Sequence, residues 1–263
     1  MNTPKDDSVS PSRPESAANS TPYASSPKPE PSAAPALNIG SVLSRTLATL
    51  GKNPGVFFGL ALAAVVPSFI LMLLLPPDWA SGTKIVDMVF GLAVQGATAY
   101  AVFQVLRGNV ASMSESITRG MARLGPLAIA ALLTGLGTAV GMVFFIVPGL
   151  ILLCLWSVTI PACVVEHLGP IESMKRSADL TRGYRMTIFA LFLITYLCII
   201  LVSIVIGYTV VMTMDSTLVA GILMALVLAV PQAFNNVMVA IVYYDLRAIK
   251  DGVTIDSLVN VFD

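Results

Sequence analysis

Long apolar segments, separated by short polar ones, occupy most of the chain after residue 54. A helix needs roughly 20 apolar residues to cross the hydrocarbon core of a bilayer. Six segments approach or exceed that length. Two of them come from one long apolar block, which Pro148 and Gly149 divide. We therefore predict an all-α integral membrane protein with transmembrane spans at about 55–75, 85–106, 125–146, 149–165, 186–212 and 218–244.

A short amphipathic segment precedes each pair of predicted spans. Residues 115–120 and 172–177 match in pattern, and residues 41–46 form a weaker third copy. In each segment apolar residues recur at helical spacing on one face, and charged or hydroxyl residues lie opposite. The pattern predicts three hairpin repeats, each preceded by a short amphipathic interfacial helix. The apolar stripes are Ile39, Leu43, Leu47 and Leu50; Met113, Ile117, Met121 and Leu124; and Ile171, Met174, Ala178 and Thr181.

Lysine and arginine are distributed unequally between the two ends of the predicted spans. One end carries Arg45, Lys52, Arg107, Arg119, Arg123, Lys175, Arg176, Arg182, Arg185, Arg247 and Lys250, whereas the opposite short loops carry only Lys84. Because basic loops stay on the cytoplasmic side, this asymmetry predicts that both termini are cytoplasmic.

The overall composition excludes a soluble globular protein. The chain is 56% hydrophobic and 11% charged, whereas average soluble domains carry roughly 25% charged residues. Residues 1–37 differ, since proline, serine and alanine dominate them, and we predict a disordered cytoplasmic tail. A solubilising tail is favoured over a docking segment. The membrane domain is predicted at 38–250, with a short cytoplasmic tail at 251–263, and the first span is expected to direct insertion.

Basic residues on the predicted interfacial helices are candidates for contact with anionic lipid headgroups. Each such residue near the surface of an anionic membrane contributes about 1 kcal/mol to binding. The candidates are Arg119, Arg123, Lys175, Arg176 and Arg182. The alternative is that these helices are connectors that anchor each hairpin, and the two roles are compatible.

Four amide side chains form a candidate polar cluster within the spans: Gln95, Gln232, Asn235 and Asn236. Amides at this depth usually bond to neighbouring helices, which we favour, and the alternative is that they line a polar cavity between hairpins. No Asp, Glu, Lys, Arg or His lies in the middle of a predicted span, which argues against ion-coupled transport.

Catalytic and metal-binding patterns are missing from the sequence. The one histidine, His167, follows Glu166 at the end of a span, where an interfacial cap is a better interpretation than an acid–base pair. One histidine and three cysteines within apolar runs provide no credible metal set. We therefore predict no catalytic site, no metal, no cofactor and no nucleic-acid partner.

Four short passages resemble a known membrane domain. They are Ile-Val-Pro-Gly-Leu-Ile-Leu at 146–152, Ile-Pro-Ala-Cys-Val-Val-Glu at 160–166, residues 169–177, and Val-Tyr-Tyr-Asp-Leu-Arg at 242–247. Over about residues 38–250 the chain resembles the membrane domain attached to some bacterial glycerophosphoryl diester phosphodiesterases and its stand-alone relatives. The resemblance implies a bacterial inner-membrane bundle of about six helices. The soluble catalytic barrel has no counterpart here, so the enzyme activity is not carried over.

Two functional hypotheses follow. The first is a non-enzymatic inner-membrane protein that interacts with lipids or acts as a scaffold, with the bilayer, anionic lipids, and a membrane protein or a second copy as partners. The second is a transporter or permease-like protein for an uncharged or lipidic substrate, suggested by the repeats and the proline-containing, amide-bearing spans.

Overall fold

The computed structural model describes residues 37–76, 80–213 and 217–252, and this part of the chain contains helices and no strand. The predicted tails, apart from Leu37, Asp251 and Gly252, lie outside the described residues. The helices are α1 (Ile39–Lys52), α2 (Pro54–Leu74), α3 (Ala80–Leu106), α4 (Met113–Ala122), α5 (Leu124–Phe144), α6 (Ile146–Leu155), α7 (Thr159–Val165), α8 (Pro170–Thr181), α9 (Arg185–Thr213) and α10 (Thr217–Asp251).

Six segments of the described chain are long and apolar enough to cross a membrane. They are Pro54–Leu71, Lys84–Leu106, Leu124–Phe144, Ile146–Val165, Arg185–Val210 and Gly221–Asp251. The all-α fold with six apolar segments of spanning length is therefore confirmed, as expected for a multi-pass membrane protein. The grouping into three hairpin repeats stays a prediction.

The centre of the bundle is built around the second half of α10. From Val237 to Tyr244 every side chain is buried, and the core continues into small residues of α3. Ala93, Ala97 and Ala101 of α3 are buried, as are Ala225, Ala229 and Ala233 of α10. Without a hydrophobic drive between helices in lipid, small side chains let the helices pack by close approach of their backbones.

The short helices α1, α4 and α8 turn mainly small or hydroxyl residues towards the bundle, together with Leu50 and Leu180. Their buried residues are Val42, Thr46, Thr49 and Leu50 in α1, Ser116 and Gly120 in α4, and Ser173, Ser177, Leu180 and Thr181 in α8. Larger residues of the predicted apolar stripes, including Leu47, Met121 and Ile171, are exposed on the outside. Two of these hydroxyls bond within the same segment, since Thr46 Oγ1 donates to Val42 O at 2.7 Å and Ser116 Oγ donates to Ser112 O at 2.7 Å.

The fourth span differs from the predicted helix at 149–165 in two ways. The turn from α5 into α6 lies at Phe145, an extended residue, and Pro148 is the third residue of α6, where the first helical turn tolerates proline. Gly149 packs against the backbone of Met142, so its role is close helix packing. The span is also interrupted at 156–158, between α6 and α7.

Helix α8 supplies a hydrogen bond at the interruption in the fourth span. Ser177 Oγ donates to the carbonyl oxygen of Leu155, the last residue of α6, at 2.8 Å. Thr181 Oγ1 lies 3.4 Å from the same oxygen but donates its proton to Ser177 O at 2.9 Å. An unsatisfied carbonyl within a membrane is costly, so the buried hydroxyl of Ser177 stabilises the broken helix. Helix α8 is thus packed into the bundle by one face.

Candidate functional site

An ion-pair cluster joins the end of α7 to α8 and α10, and consists of Glu166, Arg176, Tyr243, Arg247 and Asp251. Arg176 Nε donates to Glu166 Oε1 at 3.0 Å and to Oε2 at 2.9 Å, and its guanidinium also pairs with Asp251. Tyr243 donates its hydroxyl proton to Glu166 Oε1 at 2.8 Å. Arg247 Nε lies 3.8 Å from Glu166 Oε1 and 3.7 Å from Asp251 Oδ2.

The cluster has the properties of a structural clamp. The Glu166 side chain is only 14% exposed, and each of its carboxylate oxygens accepts at least one hydrogen bond. Burial alone would lower the pKa of Arg176, but the hydrogen bonds and charges of Asp251 and Glu166 raise it instead. Arg176 therefore stays charged and holds α8 against α10.

His167 is not the partner of Glu166. Its backbone is in the left-handed region, with φ at 54°, and its Nδ1 atom contacts the guanidinium of Arg123. Arg123 also donates to the carbonyl oxygen of His167 at 3.3 Å. Burial, and then the charges of Arg123 and Arg119, lower the pKa of the imidazole below its usual 6.5. A neutral ring accepts the bond from Arg123, so the contact links α4 to the segment before α8.

The predicted headgroup-contact residues divide into two groups. Arg119, Lys175 and Arg182 are exposed, and Arg119 also lies 5.7 Å from the ring centre of Tyr100. Arg123 is half-buried through its contact with His167, and Arg176 belongs to the ion-pair cluster. The charge of Arg176 is thus neutralised by two carboxylates, so we no longer expect it to contribute to headgroup contact.

An apolar groove of about 420 Å³ lies beside Lys175, between α5 and α8. It is lined by Leu133, Trp156, Ile171, Met174, Lys175 and Ala178. Three of these residues belong to the predicted apolar stripe of α8. The exposed ammonium group of Lys175 is therefore placed at an apolar channel on the outside of the bundle.

A central cavity of about 580 Å³ lies between α3, α5, α6, α7, α9 and α10, beside the interruption in the fourth span. Among its polar lining residues are Gln95, Ser157, Thr159, Tyr196 and Asn235, and none of its lining residues carries a charge. The volume is in the range of small-molecule sites, which is about 300–1,000 Å³. The cavity thus combines a neutral polar lining with an interrupted helix.

The structure brings two of the four predicted amides into this central cavity, Gln95 and Asn235. Gln232 lines a neighbouring cavity of about 440 Å³, together with Asp87, Tyr196 and Asn235. Asn236 is buried and lines neither cavity, and its Nδ2 atom makes no hydrogen bond within the described residues. Asn235 and Tyr196 are therefore common to the two cavities.

Several residues of these sites were not identified from the sequence. Hydroxyl residues cluster at 134–138 and 157–159 within apolar segments, and this signal was available. Tyr243, Arg247 and Asp251 recur at four-residue spacing, which places them on one face of α10. Asp87 lies near the start of the second span and carried no separate signal.

Within the described residues, no group of three or more His, Cys, Asp or Glu side chains is arranged to hold a metal ion. The described side chains thus form an apolar groove beside an exposed lysine on the outside of the bundle, and a central cavity with a neutral polar lining. Comparisons with protein-family models, curated proteins and solved structures found no match, so the resemblance to the phosphodiesterase membrane domain stays a prediction.

Proposed function

We propose that this protein is a non-enzymatic module of the bacterial inner membrane that binds anionic lipids, with both termini in the cytoplasm. The observation that carries the proposal is the apolar groove with Lys175 beside it. An acyl chain fits an apolar channel on the outside of a membrane bundle, and an ammonium group attracts the phosphate of the same lipid. A scaffolding role, with a membrane protein or a second copy as partner, is compatible with this activity.

Two further exposed cations on the short helices support the same function. Arg119 and Arg182 are exposed, while the outward faces of α4 and α8 carry exposed apolar residues such as Met121 and Ile171. A helix with apolar and basic exposed residues binds at the headgroup level of an anionic membrane. The tight packing of the opposite faces leaves these residues free to contact lipid.

Replacing Lys175 with glutamine should weaken retention of phosphatidylglycerol about fivefold. This factor corresponds to the loss of about 1 kcal/mol for one basic residue near an anionic surface. Native mass spectrometry of protein extracted from mixed phosphatidylglycerol and phosphatidylcholine nanodiscs measures the retained lipid.

Lys84→Gln is the matched control, because Lys84 is exposed at the start of the second span, on the side opposite to the predicted basic end. The difference between the two variants should shrink at high salt, which screens exposed charges. Equal retention of phosphatidylglycerol by Lys175→Gln and Lys84→Gln would show that Lys175 does not bind the headgroup.

The central cavity favours a second candidate function, a transporter or permease-like protein for an uncharged or lipidic substrate. Irregular backbone within a membrane occurs where it lines a cavity or is buried in protein, and interrupted helices often mark transporter binding sites. Here Trp156, Ser157 and Thr159, at the interruption, line the cavity directly. The neutral lining agrees with an uncharged substrate.

If a polyol such as glycerol passes through the cavity, Gln95→Leu should lower the glycerol flux about fivefold. This factor corresponds to the loss of one hydrogen bond of about 1 kcal/mol. Stopped-flow light scattering of proteoliposomes in a glycerol gradient measures the flux. Gln104→Leu is the control, because Gln104 is on the same helix but bonds Tyr100 and Asn109 outside the cavity. Full flux in Gln95→Leu, or no flux above empty liposomes, would exclude this pathway.

A further inference from the structure

Two polar atoms at the central cavity have no hydrogen-bond partner within the described residues. They are Thr159 Oγ1 and Asn235 Oδ1. Thr159 is only 1% exposed and lines the cavity wall formed by the fourth span, and Asn235 lines the wall formed by α10. Buried polar atoms are nearly always paired in native proteins, so two unpaired atoms at one cavity indicate a group that bonds there.

Two other hydroxyls at the cavity are already engaged. Ser157 Oγ donates to Cys154 O at 2.9 Å, and Thr134 Oγ1 donates to Ala130 O at 2.8 Å. These two side chains donate to backbone carbonyls three or four residues earlier in the chain. Thr159 Oγ1 and Asn235 Oδ1 differ from them because they lack a hydrogen-bond partner in the described part of the chain.

The identity of the free atoms defines the chemistry of the ligand. An amide oxygen only accepts hydrogen bonds, so the group that meets Asn235 Oδ1 must be a donor. A threonine hydroxyl can donate and accept, so it can pair with a second polar atom of the ligand. Because no charged side chain lines the cavity, a charged ligand would be desolvated without compensation. These requirements point to a neutral molecule with hydroxyl groups.

The position of the cavity indicates a lipid in preference to a soluble polyol. Gly135 and Ala139 of α5 line the cavity and are themselves exposed, so the cavity opens on the outer surface of a spanning helix. Gly135 has no other atom within 4 Å of the place where a side chain would begin. Leu92, Ile160 and Val239 supply an apolar lining for a hydrocarbon chain.

We propose that the central cavity binds the polar end of a neutral acylglycerol, which enters from the bilayer along α5. A glycerol hydroxyl donates to Asn235 Oδ1, and a second oxygen pairs with Thr159 Oγ1. The inference rests on the cavity of the second candidate function, but it requires binding only. Transport and binding are therefore tested separately.

The first experiment compares three probes on the unaltered protein by native mass spectrometry in detergent. The probes are monooleoylglycerol, its dimethyl ether and free glycerol. We expect monooleoylglycerol to bind one to one, and the ether, which cannot donate, to bind about three- to tenfold more weakly. Equal binding of lipid and ether would overturn the role of the hydroxyls. Glycerol binding as tightly as monooleoylglycerol would replace the lipid with a soluble polyol.

The second experiment uses Thr159→Val, which removes the hydroxyl and keeps the shape of the side chain. We expect about three- to tenfold weaker binding of monooleoylglycerol. Ser68→Ala is the control, because Ser68 is also a buried hydroxyl without a partner in the described chain but does not line the central cavity. If Ser68→Ala lost affinity for monooleoylglycerol and Thr159→Val did not, the assignment of Thr159 to the lipid site would be contradicted.

The two tests separate the inference from the second candidate function. One-to-one binding with hydroxyl selectivity, but without glycerol flux, would reject the transporter and retain the lipid site. Glycerol flux that depends on Gln95, with no selectivity between monooleoylglycerol and its ether, would retain the transporter and reject the lipid site.

Discussion

Replacing Glu166 with alanine should destabilise the protein by about 2–3 kcal/mol, the largest effect that we expect from a single side chain. The substitution removes the common acceptor of Arg176 and Tyr243, and leaves Asp251 as the carboxylate paired with the guanidinium groups of Arg176 and Arg247 in the described chain. Loss of one partner from a fully buried pair costs about 3–5 kcal/mol. The value is smaller here because the Arg176 side chain is 26% exposed.

The measurement is the free energy of unfolding in mixed micelles, followed by tryptophan fluorescence, to which Trp156, between α5 and α8, contributes. Glu166→Gln should have a smaller effect, since its amide oxygen still accepts one hydrogen bond. Asp179→Ala removes the same charge from an exposed position on α8, and should stay within about 0.5 kcal/mol of the unaltered protein. If Glu166→Ala and Asp179→Ala unfold alike, the cluster does not clamp the bundle.

Replacing Gly120 with alanine should destabilise the protein by about 1–3 kcal/mol, the usual range for overpacking. A Cβ atom at Gly120 would lie 2.5 Å from the carbonyl oxygen of Ala93 and 2.8 Å from the backbone nitrogen of Ala97. Both contacts are with the backbone of α3, so no side-chain rotation relieves them. Helix α4 must move away from α3, and that separation would expose Ser116, now fully buried.

Gly125→Ala is the matched control for this prediction. Gly125 lies on the neighbouring helix α5, and no atom lies within 4 Å of the place where its Cβ would be. Alanine has a higher helix propensity than glycine, so the control should be unchanged or stabilised by up to about 1 kcal/mol. Unfolding of both variants in the same micelles checks the difference. Similar stability of Gly120→Ala and Gly125→Ala would contradict the close packing of α4 on α3.

The spanning segments were predictable from the sequence because length and hydrophobicity are local properties. The Ile146–Val165 segment, for example, has the apolar content of a single span. Its interruption at 156–158 was not predictable, because it depends on a hydrogen bond from Ser177 of a later helix. The turn at Phe145 was placed three residues late, since Pro148 and Gly149 are strong local turn signals that the packing of α5 on α6 overrides.

The buried faces of the short helices were also not predictable from the sequence, for a different reason. An apolar stripe in a soluble protein indicates the side that packs on the core, but in a membrane the hydrocarbon also accepts apolar residues. In α8 the larger residue Ile171 therefore lies outside, and Ser173 and Ser177 lie inside. Of the candidate site residues, Gln95 and Asn235 do line one cavity. Arg176 instead forms ion pairs with Glu166 and Asp251, which lie 10 and 75 residues away in the sequence.

The hydrogen bond from α8 to the fourth span has a consequence for the order of assembly during synthesis. Leu155 is synthesised 22 residues before Ser177. Until that hydroxyl emerges from the ribosome, an unbroken helix is the arrangement that satisfies the Leu155 carbonyl within the bilayer. We infer that the segment inserts as a continuous helix and acquires its break afterwards, when α8 docks. The cavity beside the break is completed later still, because α9 and α10, which supply Phe192, Tyr196, Asn235 and Val239 to its lining, follow α8 in the chain.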